Sequence, residues 1–79
     1  MYTVYVLCDD QGRLYKGCTN NLRRRILEHR RGKTKTTSKM KNIKVVHKEE
    51  YSSSTSSRKR ELYLKTAAGR RYLHTILGN

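Results

Sequence analysis

The run YTVYVLCDDQGRLYKGCT, residues 2–19, decides the fold. Tyr2 to Cys8 are apolar, β-branched and aromatic, Leu14 to Cys18 are similar, and a turn-prone Asp9-Asp10-Gln11-Gly12 stretch separates them. This order predicts a β-hairpin. With Asp10-Gln11-Gly12 as a three-residue loop and Gly12 left-handed, Asp9 faces Arg13, Leu7 faces Tyr15 and Tyr5 faces Gly17. Tyr5 and Tyr15 then share one face of the hairpin. A register slip of one residue would place them on opposite faces, so the pairing rests on the turn.

Downstream of the hairpin, residues 20–31 (NNLRRRILEHRR) predict a helix, capped by Asn20 or Thr19 and stopped at Gly32. At about 100° per residue, Leu22, Ile26 and His29 cluster on one face with Arg25 beside them. Arg23, Arg24, Glu28 and Arg31 are expected to point elsewhere. Residues 33–42 alternate cations with hydroxyls and read as a basic loop, whose Lys33, Lys35, Lys39 and Lys41 are candidates to grip a phosphate backbone.

Residues 43–48 (IKVVHK) predict a third strand extending to Tyr51, and the serine-rich segment after it caps a helix expected from Ser56 to Ala67. Ser57, Glu61, Leu64 and Ala68 recur there at helical spacing, which sets one carboxylate among small and apolar neighbours. Gly69 is expected to break this helix, with Tyr72, Leu73, Ile76 and Leu77 forming a short closing one. The order is β-β-α-β-α-α, an α+β fold in a single domain over residues 1–79.

Composition narrows the function. Lys and Arg number 19 against six Asp and Glu, a formal net charge of +13. A folded chain with that self-repulsion is stabilised by an anionic partner, and a polyanion such as nucleic acid is the natural one. A core drawn from 34% hydrophobic residues, with six Tyr and neither Phe nor Trp, leaves no room for a large internal cavity. Any active site is therefore a surface groove. No apolar run approaches the roughly 20 residues of a membrane span. Cys8 and Cys18, with only three histidines beside them, lack zinc spacing and read as reduced thiols, so a cytoplasmic setting is expected.

Six acidic residues can be weighed singly. Asp9 and Asp10 belong to the turn, Glu28 points away from its helix's apolar stripe, and Glu49 and Glu50 read as exposed charges near a strand end. Glu61 alone leans inward; a structural role, paired with Lys65 or an arginine, and a catalytic role are equally open on spacing. Arg25 and His29, one helical turn apart, would give a phosphate both a fixed cation and a proton-transfer group, although each also suits a packed helix edge.

Taken together, Thr3-Val4-Tyr5, Tyr15-Lys16-Gly17, Asn21-Leu22 with Arg25 and His29, and Arg60-Glu61 followed by Leu64-Lys65 resemble the GIY-YIG endonuclease family, most closely its small stand-alone bacterial members. The resemblance runs from about Thr3 to the GRRYL segment at 69–73. It implies a three-stranded antiparallel sheet flanked by helices and a one-metal phosphodiesterase site. By the same resemblance Tyr15 activates the attacking water or acts as nucleophile, Tyr5 supports it, Arg25 stabilises charge on the phosphate, and His29 assists proton transfer or orientation. Glu61 would be the sole protein ligand of a magnesium or manganese ion.

The expected activity is a metal-dependent DNA endonuclease directed by structure and linked to repair or processing. RNA is a further candidate substrate, and a partner protein is a candidate source of specificity. Arg24 and Arg70 join the loop lysines as nucleic-acid-binding candidates. The competing expectation is a basic binding module with little cleavage, for which Tyr15 and Glu61 have no use. Three departures from the family stand out: the first triplet is Thr3-Val4-Tyr5 and Lys16 stands in the second where relatives usually carry an apolar residue; Cys18 stands where repair-nuclease relatives carry a lysine, leaving open which cation serves Tyr15; and the last helix lacks the asparagine that some members place near the metal site.

Overall fold

The computed structural model describes residues 1–32 and 39–78. Chain order is β1 (Tyr2–Cys8), β2 (Leu14–Thr19), α1 (Leu22–Arg30), β3 (Lys44–Tyr51), α2 (Ser54–Leu64) and α3 (Ala67–Leu77). The sheet order is β2-β1-β3, so β1 is central and both of its pairings are antiparallel.

The hairpin has the register its turn dictates: Tyr5 pairs with Gly17 and Leu7 with Tyr15. Gly12 sits at φ 80, the left-handed conformation an L side chain resists. Asp9 closes the loop from inside. Its Oδ1 accepts from the backbone N–H of Gln11 at 3.0 Å and of Arg13 at 2.8 Å, and its Oδ2 accepts from Arg13 Nε at 2.7 Å. Burial opposes ionisation of this carboxyl, but the Arg13 and Gln11 donors outweigh it and hold its pKa below the usual value.

Alternation along β1 feeds two cores. Val4 and Val6 face α2 and α3, where Leu64 and Leu73 cover them; Tyr5 and Leu7 face α1, with Ile43, Leu22, Ile26 and Met40 around them. Each fully buried leucine is worth about 1.5–3 kcal/mol of burial, so in so small a body each core rests on few side chains. A register shift between Val6 and Leu7 leaves Val46 unpaired on β3, and it packs into the α2–α3 side.

Helix ends differ from expectation. Asn21, rather than Asn20 or Thr19, caps α1 through its side chain on the Arg24 N–H, while Thr19 Oγ1 accepts from the Asn21 N–H. Ser53 caps α2, which ends at Leu64. The break falls there because the Thr66 hydroxyl caps a new helix by accepting from Gly69 N. Gly69 therefore lies inside α3, and Ala68 is an exposed residue of α3 and not part of the Glu61 face. The reason for a glycine is close approach: a Cβ at residue 69 would overlap the Tyr63 carbonyl oxygen and the Leu64 backbone.

Glu49 also departs from its reading as an exposed charge. His47, Glu49 and Tyr51 fall on the β3 face turned to α2, and Arg60 descends onto them. Arg60 Nε and Nη2 donate to the two Glu49 oxygens at 2.9 and 3.2 Å, Tyr51 Oη donates at 2.6 Å, and His47 Nε2 lies at 2.7 Å. The guanidinium stacks 5.1 Å from the Tyr63 ring centroid and 4.9 Å from that of Tyr72, tying α3 to the same knot.

Burial alone would raise the Glu49 pKa, yet Arg60, His47 and Tyr51 outweigh it and bring it from 4.5 to about 2. The stabilisation is therefore complete above pH 4.5 and is lost as pH falls through 2. Urea midpoints should fall over that window in the wild type. Glu49→Gln should be less stable at neutral pH and flatter below pH 4.5; a wild-type slope in the variant would refute this account.

Candidate active site

Tyr15 projects from β2, the edge strand, to the α1 face of the sheet, and its side chain is half-buried. It lines an open groove of about 500 Å³ that continues past Gly17 to α2, bordered by Arg24 and Arg25 of α1 and by Arg58 and Glu61 of α2. Three guanidinium groups thus face one carboxylate in this lining, a balance suited to an anionic substrate.

Behind Tyr15 lies a ring cluster. Tyr5 is 1% exposed, and its ring centroid lies 6.3 Å from that of Tyr15. The Tyr5 hydroxyl reaches over residue 17, where an ideal Cβ would lie 2.5 Å from the hydroxyl oxygen. Only glycine leaves that room. Burial, opposed by Arg25, pushes the Tyr5 pKa up to about 12, so this phenol keeps its proton throughout the neutral range.

His29 is 2% exposed and is not among the groove-lining residues. Its Nε2 lies 2.8 Å from Tyr5 Oη, and its ring packs edge-on to Tyr15 at 5.0 Å between centroids. Burial first, then the charge on Arg25, hold the imidazole pKa below its ordinary value, which favours the neutral ring at pH 7. His29 thus packs behind the two phenols and outside the groove lining.

Arg25 connects these layers. Glu28 Oε1 accepts from its Nη1 at 2.9 Å, and this carboxylate first, with the nearby Tyr5 and Tyr15 phenols, holds the guanidinium in its charged form. Glu28, expected to point away, curls back to pair with Arg25, and more distantly with Arg24 at 3.8 Å, because the three lie on adjacent helical rows. Arg25 lines the groove together with Tyr15. Cys18 turns to the other face and donates through Sγ to Ser57 Oγ at 3.1 Å; both cysteines are free thiols.

Glu61 lies at the groove edge with a side chain 17% exposed, and Lys65 Nζ donates to its Oε2 at 3.0 Å. It is not the sole inward carboxylate, since Asp9 and Glu49 are also covered, but it alone among the acidic residues lines this groove. No group of three or more His, Cys, Asp or Glu able to hold a metal occurs among the described residues. One carboxylate does not fit a closed structural metal site. It does fit a hard cation whose other ligands are water and phosphate oxygens.

The other candidate residues disperse. Arg24 is in the groove. Lys39 and Lys41 are exposed, and Lys41 lines a separate depression with Arg30 and Met40; Arg70 lies on the opposite side of the sheet. Lys33 and Lys35 lie outside the described residues. Arg58 was missed by sequence reasoning, although it lies three residues before Glu61 and so shares its helical row.

A family model described as the GIY-YIG catalytic domain matches residues 1–73. The chain belongs to the GIY-YIG family of nuclease catalytic domains. It is similar to the solution NMR structure of the UPF0213 protein BH0048 from Bacillus halodurans, with 26% identity and a TM-score of 0.59, over 96% of this chain and 85% of that one. No curated protein matches it.

Proposed function

We propose that this chain is a metal-dependent DNA endonuclease, acting on altered DNA structures in repair or processing. The observation that carries the reading is the convergence of Tyr15, Arg25 and Glu61 on one open, cationic groove. The groove's guanidinium groups suit a backbone phosphate. On this reading the groove engages the backbone, so substrate choice comes from DNA shape or from a partner protein.

In this reading Tyr15 presents its phenol oxygen to the attacking water and takes up the water proton. Arg25, with Arg24 and Arg58 beside it, binds the nonbridging oxygens and offsets the charge that builds on them. Tyr5 and His29 hold Tyr15 in place. Glu61 would hold a magnesium or manganese ion, which when bound supplies Lewis-acid stabilisation of the leaving oxygen. A cytoplasmic setting suits two free thiols, and no helix among the described residues is long and apolar enough to cross a membrane.

The test is a panel of duplex, branched, nicked and single-stranded DNA, with matching RNA, in magnesium or manganese. Glu61→Ala should abolish nicking and leave salt-sensitive binding nearly intact. Equal cleavage by variant and wild type would sink the metal role, and binding without cleavage by the wild type on every substrate would leave a binding module in its place.

A further inference from the structure

Lys16 has no part in the tyrosine groove. It pairs with Val6 across the hairpin, so its side chain points to the α2–α3 side of the sheet, opposite to Tyr15. There Lys16, Arg70 and His74 line a second cavity of about 380 Å³, floored by Cys8 and Leu14. No acidic residue contributes to its lining.

Asp9 pairs with Arg13, Glu28 with Arg24 and Arg25, and Glu49 with Arg60, all away from this cavity, while Glu61 holds Lys65 at the groove edge. Arg70 spends one donor on the Lys65 carbonyl at 3.1 Å. Burial first, then the charges of Arg70 and Lys65, lower the Lys16 pKa, as expected for a partly buried cation among like charges. Such an arrangement costs stability until something negative binds.

Lys65 gives the cavity a direction. Its ammonium touches Glu61 at the groove edge, and its charge is also felt by Lys16. The sequence Glu61, Lys65, Lys16, Arg70 therefore leads from the tyrosine groove around β2, which is the sheet's edge strand and leaves that path open.

We propose that Lys16 and Arg70 form a second phosphate-binding site, which holds the nucleic-acid backbone beyond the scissile phosphate as one strand passes round the β2 edge. The substrate class rests on the nuclease reading above. Among the described residues the cavity lining carries two cationic side chains and one imidazole, a composition suited to backbone phosphate.

The experiment measures binding of a labelled single-stranded oligonucleotide against salt concentration, in chelator so that no cleavage intervenes. Lys16→Met and Arg70→Gln should each reduce the magnitude of the log–log salt slope by about 0.7 and weaken binding about fivefold at 0.1 M salt. Lys16→Arg should retain the slope. Lys44→Gln, which removes an exposed charge at the start of β3, should change it far less. Thermal midpoints identify any variant that fails to fold, and the Met variant should be at least as stable as the wild type.

Slopes of Lys16→Met and Arg70→Gln equal to wild type, or no different from Lys44→Gln, would overturn the site. Nicking assays on the same proteins separate the two ideas. If the wild type never cleaves but the slopes fall, the nuclease reading is lost and the phosphate site stands; if it cleaves with unchanged slopes, the reverse holds.

Discussion

Tyr15→Phe is expected to bind short DNA as tightly as the wild type and to lose cleavage by about two to four orders of magnitude, the range for removing a general acid–base group. The substitution deletes one oxygen and keeps the ring. Packing against His29 at 5.0 Å and Tyr5 at 6.3 Å is therefore preserved, and a fall in stability is not the cause of the loss. Tyr5→Phe provides the contrast. It removes a buried hydroxyl that meets His29, so it should lower the urea midpoint as well as activity. If Tyr15→Phe nicks DNA within a few-fold of the wild-type rate, Tyr15 is not the proton acceptor.

Gly69→Ala is expected to destabilise the protein by about 3 kcal/mol or more, at the upper end for overpacking. A methyl group there overlaps main-chain atoms of Tyr63 and Leu64, which have no rotamer by which to move aside. Relief requires α3 to lift from α2, and that opens the contact between Leu64 and Leu73, both fully buried. Alanine would gain about 1 kcal/mol of helix propensity over glycine, which is too little to compensate. Against a total of roughly 5–15 kcal/mol for a small domain, such a loss shifts the urea midpoint strongly. An unchanged midpoint would mean that the two helices are not in the contact described.

What could be read from the sequence depended on the range of the forces involved. The hairpin was legible because Asp9, Gly12 and the alternation on either side are local, and turn chemistry fixes register without reference to the rest of the chain. Arg25, His29 and Glu61 were placed on inner faces by helical spacing alone. Glu49 was not legible: only the descent of Arg60 from α2 turns a strand-end carboxylate into the centre of a network, and no period records that. Gly69 misled for the opposite reason. Its usual role as a helix stop is local, whereas here it permits one backbone to touch another.

Arg58 and Lys16 fall between these cases. Both lie on rows already recognised, one with Glu61 and one opposite Tyr15, but their partners come from elements distant in sequence. The basic character of the chain was plain from composition. Its division between two faces of the sheet needed the position of α3.

The close fit of the Tyr5 hydroxyl over Gly17 makes residues 5 and 17, cross-strand partners twelve positions apart, a single unit of inheritance. A side chain at 17 displaces the ring at 5, and a smaller residue at 5 leaves a void beside 17. A substitution at either position is therefore felt at the other, and through Tyr5 at the ring of Tyr15 in the groove.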